Sequence, residues 1–181
     1  IATISIVGFF FEPQSHRLFA LTDSAFTTAE FYRLITGHFL HTNDWHLVLN
    51  LLGLALLWAL HGEYYHPRSL PLIWLFMSAI TGCALLLADP QMQYVGLSGV
   101  LHGLFVWGAC KDVENREKTG WLLLIGITIK VAAEQFGGDT SDIANLIDAS
   151  VAIDAHLFGA FSGLVVFGLV LLYKKALTRR A

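Results

Sequence analysis

Five apolar runs organise the chain: Leu47 to Leu60, Leu70 to Ala88, Val95 to Cys110, Trp121 to Phe136 and Val151 to Tyr173. Several approach the ~20 residues that an α-helix needs to cross a hydrocarbon core. A shorter run, Ile1 to Phe11, is too brief to span at ~1.5 Å per residue. It has no initiator Met, no basic stretch ahead of it and no small-residue cleavage site, so it does not read as a signal peptide. We read it as the outer half of a first helix whose beginning is missing. The pattern therefore predicts an all-α polytopic membrane protein, one domain over residues 1–181, with six transmembrane helices.

Composition agrees with the pattern. Of the 181 residues 55% are hydrophobic and 14% charged, and mean hydropathy is +0.61; a soluble domain is nearer about a quarter charged. The lipid bilayer is the expected surrounding medium. A net charge of −3 gives no reason to expect nucleic acid as a partner. Cys83 and Cys110 lie within apolar runs, so no disulfide framework is suggested.

Basic residues set the orientation. Arg68, Lys111, Arg116, Lys118, Lys174, Lys175, Arg179 and Arg180 fall on one side, whereas the other has only Arg17 and Arg33. The remaining loops of that second side, 89–94 and 137–150, hold Asp89, Asp139, Asp142 and Asp148 and no base. Both termini are expected to be cytoplasmic. The long outer segment after Glu12-Pro13 is rich in Phe19, Phe26, Phe31, Tyr32 and Phe39, enough apolar surface to lie against the outer leaflet. Pro67 and Pro71 break the second helix from the third. The fourth helix is expected to be short, about fourteen residues from Leu97 to Cys110, or roughly 21 Å. It must start below the outer surface, where a dipping loop is tolerated only against protein or a water-filled cavity.

Polar residues inside these runs carry the candidate chemistry. Ser98, in GLSG, starts the short helix between Gly96 and Gly99. It either caps its own helix or acts as a nucleophile whose oxyanion meets free amides and the positive dipole end. A nucleophilic serine needs a base, and His156 in the sixth helix is either that base or a satisfied interhelical bond. Gly159 and Gly163 share a stripe with His156, and Gly99 and Gly103 share one on the fourth helix. Two small-residue stripes let these helices approach closely enough to bring Ser98 to His156. Asp154 sits about 200° round the helix from His156 and cannot readily orient it, so the expectation is a dyad without a carboxylate. Lys130 and Glu134, an i,i+4 pair in the fifth helix, are either a proton relay or an intrahelical or interhelical charge pair facing protein, the second being the expectation. In HTNDWHLVLN, His46 and Asn50 share one helical face, and Asp44 is the expected cap.

Taken together, these residues resemble the rhomboid intramembrane serine proteases. GLSG at 96–99 fits the Gly-x-Ser-Gly nucleophile motif, and AHLFG at 155–159 the Ala-His-x-x-Gly motif. His41, His46 and Asn50 fit the family's His-rich approach to the second helix, and Tyr32-Arg33 resembles its Trp-Arg pair. The resemblance implies a six-helix bundle with a short central fourth helix. It makes Ser98 the nucleophile and His156 the general base, with His46 and Asn50 joining the Ser98 amide in the oxyanion hole. Arg33 and His41 brace the outer loop, and Gly96, Gly99 and Gly159 are structural. The substrate would enter between the second and fifth helices, and no metal or other cofactor is implied. Where many relatives carry a Tyr four residues after the serine, this chain has His102, able to stack on His156, bond to it or compete with it.

GLSGVLHG, YRLITGHFLH and the small size further resemble the rhombosortase branch. That branch implies the inner membrane of a Gram-negative bacterium and an active site opening to the periplasm. Its substrates are exported proteins with C-terminal tails made of a small Gly-rich motif, a hydrophobic helix and a basic cluster. Two rivals differ in class. A catalytically inactive rhomboid-like protein would bind or retain membrane clients. A metal or haem protein would use His41, His46, His102 and His156, although no HExxH signature accompanies them.

Overall fold

The computed structural model describes residues 1–179. Arg180 of the basic tail lies outside the described residues. The helices are α1 Ala2–Phe10, α2 Gln14–Phe19, α3 Ser24–Thr27, α4 Arg33–Thr36, α5 Asp44–His61, α6 Leu70–Ala88, α7 Ser98–Glu114, α8 Thr119–Gln135, α9 Ser141–Ile147 and α10 Ile153–Thr178. Among the described residues, extended pairing is limited to one isolated bridge between Leu21 and Tyr94. By length and apolarity three helices can cross a membrane: α5 with its following turn to Tyr64, α6 and α10. Helices α7 and α8 have 17 residues each.

Helix α7 runs past the expected end at Cys110 to Glu114. Apolarity marks where side chains suit hydrocarbon, but a helix continues wherever its polar groups find partners. Here Asp112 accepts from the Tyr64 hydroxyl at 2.8 Å and pairs with buried His61 at 3.2 Å. Lys111 pairs with Glu114 one turn on.

Helix α7 is the axis of the molecule, with Val100, Leu104 and Ala109 fully or almost fully buried. Leu57 of α5, Ile73, Trp74 and Met77 of α6, and Val166 of α10 close a core around Leu97, Leu101 and Trp107. The α7–α10 contact is glycine against glycine. A Cβ on Gly159 would overlap the Gly99 carbonyl oxygen, and one on Gly163 would overlap that of Gly103. Bare backbone on both sides is what permits this approach.

The segment between α1 and α5 folds back on the bundle. Leu21, Ala25 and Leu34 are buried against Leu85 and Leu86 of α6 and against Tyr94. Phe19, Phe26, Phe31 and Tyr32 remain exposed, whereas Phe39 stacks on Trp74 with ring centres 5.6 Å apart. Arg33 is buried and donates to the Ala20 carbonyl at 2.9 Å and the Arg17 carbonyl at 3.1 Å, with Glu30 as its ion-pair partner. Fully buried His38 donates through Nε2 to the Ser78 carbonyl at 3.1 Å, pinning the segment to α6.

Burial lowers the His38 imidazole from 6.5 to about 4, and burial, with His46 and His16 adding, lowers His41 to about 3. A detached segment binds protons that the docked one refuses. Stability is therefore complete above the unfolded value and falls as pH drops through it towards the folded one. For His38 alone the loss between about pH 6.5 and 4 is about 3 kcal/mol. Unfolding followed from near neutrality into this acidic window should show falling stability, and His38→Gln should flatten the slope. An unchanged slope would remove His38 from the account.

Candidate active site

The chain reaches Ser98 through a loop held on several sides. Leu21 and Tyr94 exchange backbone hydrogen bonds of 3.1 and 2.9 Å, and the Gly96 amide donates to the Gly37 carbonyl at 3.2 Å. The buried Tyr94 hydroxyl donates to the Gly96 carbonyl at 2.7 Å and accepts from the Gly99 amide at 3.4 Å. Gly96 has φ +137°, a region that side chains avoid, and a Cβ there would lie 2.9 Å from His46 Nε2. Ser98 is the first residue of α7, preceded by Leu97 as N-cap. Its hydroxyl is thus not the cap; Oγ lies 3.1 Å from His156 Nε2.

His156 comes from the buried face of α10, one turn before Gly159. The glycine contacts bring it over Ser98, so two residues 58 apart in sequence share a hydrogen bond. On its other side the geometry departs from the expected dyad without a carboxylate. Glu134 of α8 lies with Oε2 3.0 Å and Oε1 3.2 Å from His156 Nδ1. Asp154, as its spacing requires, is exposed and accepts from Gln135 at 3.3 Å. The expected Lys130–Glu134 charge pair forms at 2.9 Å, and the protein it faces is the histidine pair of α7 and α10. Lys130 Nζ is 2.6 Å from His102 Nε2 and 3.1 Å from His156 Nδ1.

Of the possibilities for His102, the structure adopts stacking. Its ring lies on that of His156 with centres 4.1 Å apart and planes 15° apart. Nδ1 donates to the Ser98 carbonyl at 2.7 Å, since a carbonyl only accepts. His102, Glu134 and His156 offer ligand atoms within 4.8 Å of one another. The Lys130 ammonium sits among those atoms, where a metal would have to go. The four histidines do not converge: among the described residues only His102 and His156 belong to that group, while His41 pairs edge-on with His46, ring centres 5.1 Å apart.

The facing wall comes from α5. Its cap is Asn43, whose Oδ1 accepts from the His46 amide at 2.9 Å, and Asp44 stands inside the first turn. The expected Asp44 cap is therefore displaced by one residue: Asn43 has the extended backbone that a cap needs. His46 Nδ1 meets the Thr42 amide at 3.3 Å and its hydroxyl at 3.0 Å. Asn50 is buried and donates one amide hydrogen to the His46 carbonyl at 2.9 Å, leaving a second N–H. His41 is fully buried beside this wall, and its backbone carbonyl is 3.1 Å from His16 Nε2.

Ser98, His156, His46, Asn50 and His102 all border one cavity of about 460 Å³. Leu49, Gly53 and Leu56 of α5 and Ile127 of α8 line its apolar flank. Helix α9 covers one end, tied down where Thr42 Oγ1 donates to the Ile147 carbonyl at 2.6 Å and Asn43 Nδ2 to Leu146 at 3.0 Å.

Residues 28–174, from just before Arg33 to near the end of α10, match the Rhomboid domain. The chain belongs to the rhomboid family. Its members are in general intramembrane serine proteases. Compared with curated proteins, the chain finds no match. The matched span of this rhomboid contains the whole serine–histidine cluster and both walls of the cavity. Glu134, Tyr94 and Thr42 are the site residues that sequence reasoning did not assign. For Glu134 the signal was present as two charges inside an apolar run; Tyr94 and Thr42 act through contacts that no local pattern announces.

Proposed function

We propose that this rhomboid hydrolyses a peptide bond in or near a substrate's transmembrane segment, with Ser98 as nucleophile and His156 as general base. The observation that carries this reading is the 3.1 Å contact between Ser98 Oγ and His156 Nε2 at the border of a mostly apolar cavity. The Oγ–carbon bond forms as the Oγ proton passes to Nε2. His156 then returns that proton to the leaving nitrogen as the C–N bond breaks, and water, deprotonated by the same imidazole, releases the acyl group. The oxyanion is met by the Ser98 amide, Asn50 Nδ2 and His46 Nε2. The His46 tautomer that serves has Nδ1 accepting the Thr42 amide, so that Nε2 bears the proton. Hydrolysis needs water, and the polar end of the cavity admits it.

The chain crosses the bilayer six times, α7 being the short central span that starts below the outer surface. Both ends lie in the cytoplasm, and the cavity opens to the periplasm of a Gram-negative inner membrane. Substrate enters between α5 and α8, whose apolar side chains line the flank. The motif GLSGVLHG supports the rhombosortase branch, which trims C-terminal tripartite tails from exported proteins.

Reconstituted with a substrate bearing a small-residue motif, a hydrophobic helix and a basic cluster, the protein should release the tail at one bond, read by mass spectrometry. Binding without cleavage would turn the reading to an inactive rhomboid that retains clients. His46→Ala and Asn50→Ala should each lower kcat by about 10²–10³-fold with KM little changed, the effect of removing one oxyanion donor. Loss confined to KM would make them substrate-binding residues instead.

A further inference from the structure

A histidine can take the serine proton only if its Nε2 carries a lone pair, so its Nδ1 must carry the hydrogen. That hydrogen needs an acceptor. Two groups reach His156 Nδ1: Glu134 Oε2 at 3.0 Å and Lys130 Nζ at 3.1 Å. They demand opposite tautomers. An ammonium only donates, so bonding to Lys130 would put the ring hydrogen on Nε2 and leave Ser98 without a base. A carboxylate only accepts, so bonding to Glu134 leaves Nε2 free for the Ser98 hydroxyl.

The remaining contacts decide between them. Lys130 has two other acceptors at shorter range, His102 Nε2 at 2.6 Å and Glu134 Oε1 at 2.9 Å. His102 can accept there because its Nδ1–H is already given to the Ser98 carbonyl at 2.7 Å. With these donors and acceptors assigned, the bonds close a ring. Ser98 Oγ donates to His156, His156 to Glu134, Lys130 to Glu134 and to His102, and His102 returns to the Ser98 backbone. Each member is satisfied without a Lys130–His156 bond. Besides Ser98 and these three, His46 is the titratable group facing His156 across the cavity.

We infer that Glu134 is a positioning residue: it accepts the His156 Nδ1 hydrogen and so selects the tautomer whose Nε2 faces Ser98, while Lys130, itself anchored on His102, holds the carboxylate in place. This rests on the protease reading of Ser98 and His156. It extends that reading from a dyad to a serine–histidine–glutamate relay whose carboxylate comes from a third helix.

Two measurements on the full chain in detergent test it. The first is the ¹⁵N spectrum of wild-type histidines assigned through His156→Asn. We expect His156 to carry its hydrogen on Nδ1 near neutral pH; the reverse tautomer overturns the proposal, whatever the enzyme cleaves. The second is the rate at which a small fluorophosphonate labels Ser98, which needs no natural substrate. Glu134→Gln should slow labelling by roughly 10²–10⁴-fold, as loss of an orienting carboxylate does in serine hydrolases. It should also move the pH profile of labelling, leave saturation by the probe unchanged, and shift the His156 tautomer signal. Glu134→Asp should recover part of the rate. Labelling within about threefold of wild type, with the same pH profile, overturns the role of Glu134. Where Glu134→Gln does not fold, the wild-type tautomer alone decides. A wild type that no fluorophosphonate labels at Ser98 sinks the protease reading, a result separate from the tautomer.

Discussion

Ser98→Ala is expected to retain the substrate but cleave it slower by roughly 10⁴-fold or more, the scale seen when a serine hydrolase loses its nucleophile, the role proposed for Ser98. The hydroxyl is the one group in the cavity that both touches His156, at 3.1 Å, and can form the acyl bond. The change removes a single oxygen from the first residue of α7, where Leu97 and not Ser98 is the N-cap, so the helix start survives. Binding is expected to persist because Leu49, Gly53, Leu56 and Ile127, which line the flank, are untouched. His156→Ala should be about as damaging. The double variant should be little worse than either, since in the proposed mechanism nucleophile and base act as a unit and their losses do not add. Single-turnover cleavage in proteoliposomes, beside a pull-down of uncleaved substrate, measures both terms. Cleavage that persists in Ser98→Ala would remove the nucleophile assignment.

The second large effect is on the fold that aligns those groups. Gly159→Val puts a branched side chain where even a Cβ would overlap the Gly99 carbonyl oxygen. The listening partner on the other side is backbone, which cannot rotate away, so α7 and α10 must separate. Overpacking of a well-filled contact costs about 1–3 kcal/mol and sometimes more, and a rigid backbone neighbour places this site at the upper end. The same separation lengthens the Ser98–His156 contact one turn away, so activity should fall further than stability alone predicts. Gly168→Val in the same helix is the control, since a Cβ there meets nothing within 4 Å. Unfolding in a detergent series should weaken markedly for Gly159→Val and hardly at all for Gly168→Val. Equal responses would mean that close approach at Gly159 contributes nothing special.

Much of this arrangement was legible in the linear chain, because some constraints are local. The apolar runs mark α5 to α8 and α10 to within a few residues, since hydrocarbon-compatible stretches of helical length have few other uses. The i,i+4 spacing of His46 and Asn50 puts them on one face of α5 whatever surrounds it. The glycine stripes on α7 and α10 announce a close helix pair, and a serine beside one stripe and a histidine on the other then meet. Helix ends were less legible. Asn43 rather than Asp44 caps α5, and α7 runs on to Glu114, because caps and extensions depend on backbone angles and on partners such as Tyr64 and His61.

What the sequence by itself determined was therefore the five long apolar helices α5 to α8 and α10, the serine and histidine that face each other, and the absence of a usable carboxylate beside His156 on its own helix; the short helices α2, α3, α4 and α9 came only with the fold. The tertiary structure decided that a carboxylate arrives from elsewhere. Glu134 is 22 residues from His156 and belongs to α8. Its spacing from Lys130 fixes only that the two share a face. Which neighbour that face meets depends on the rotation and height of α8 against α7 and α10, and these are set by side-chain contacts summed over whole helices. No spacing within one helix encodes that sum.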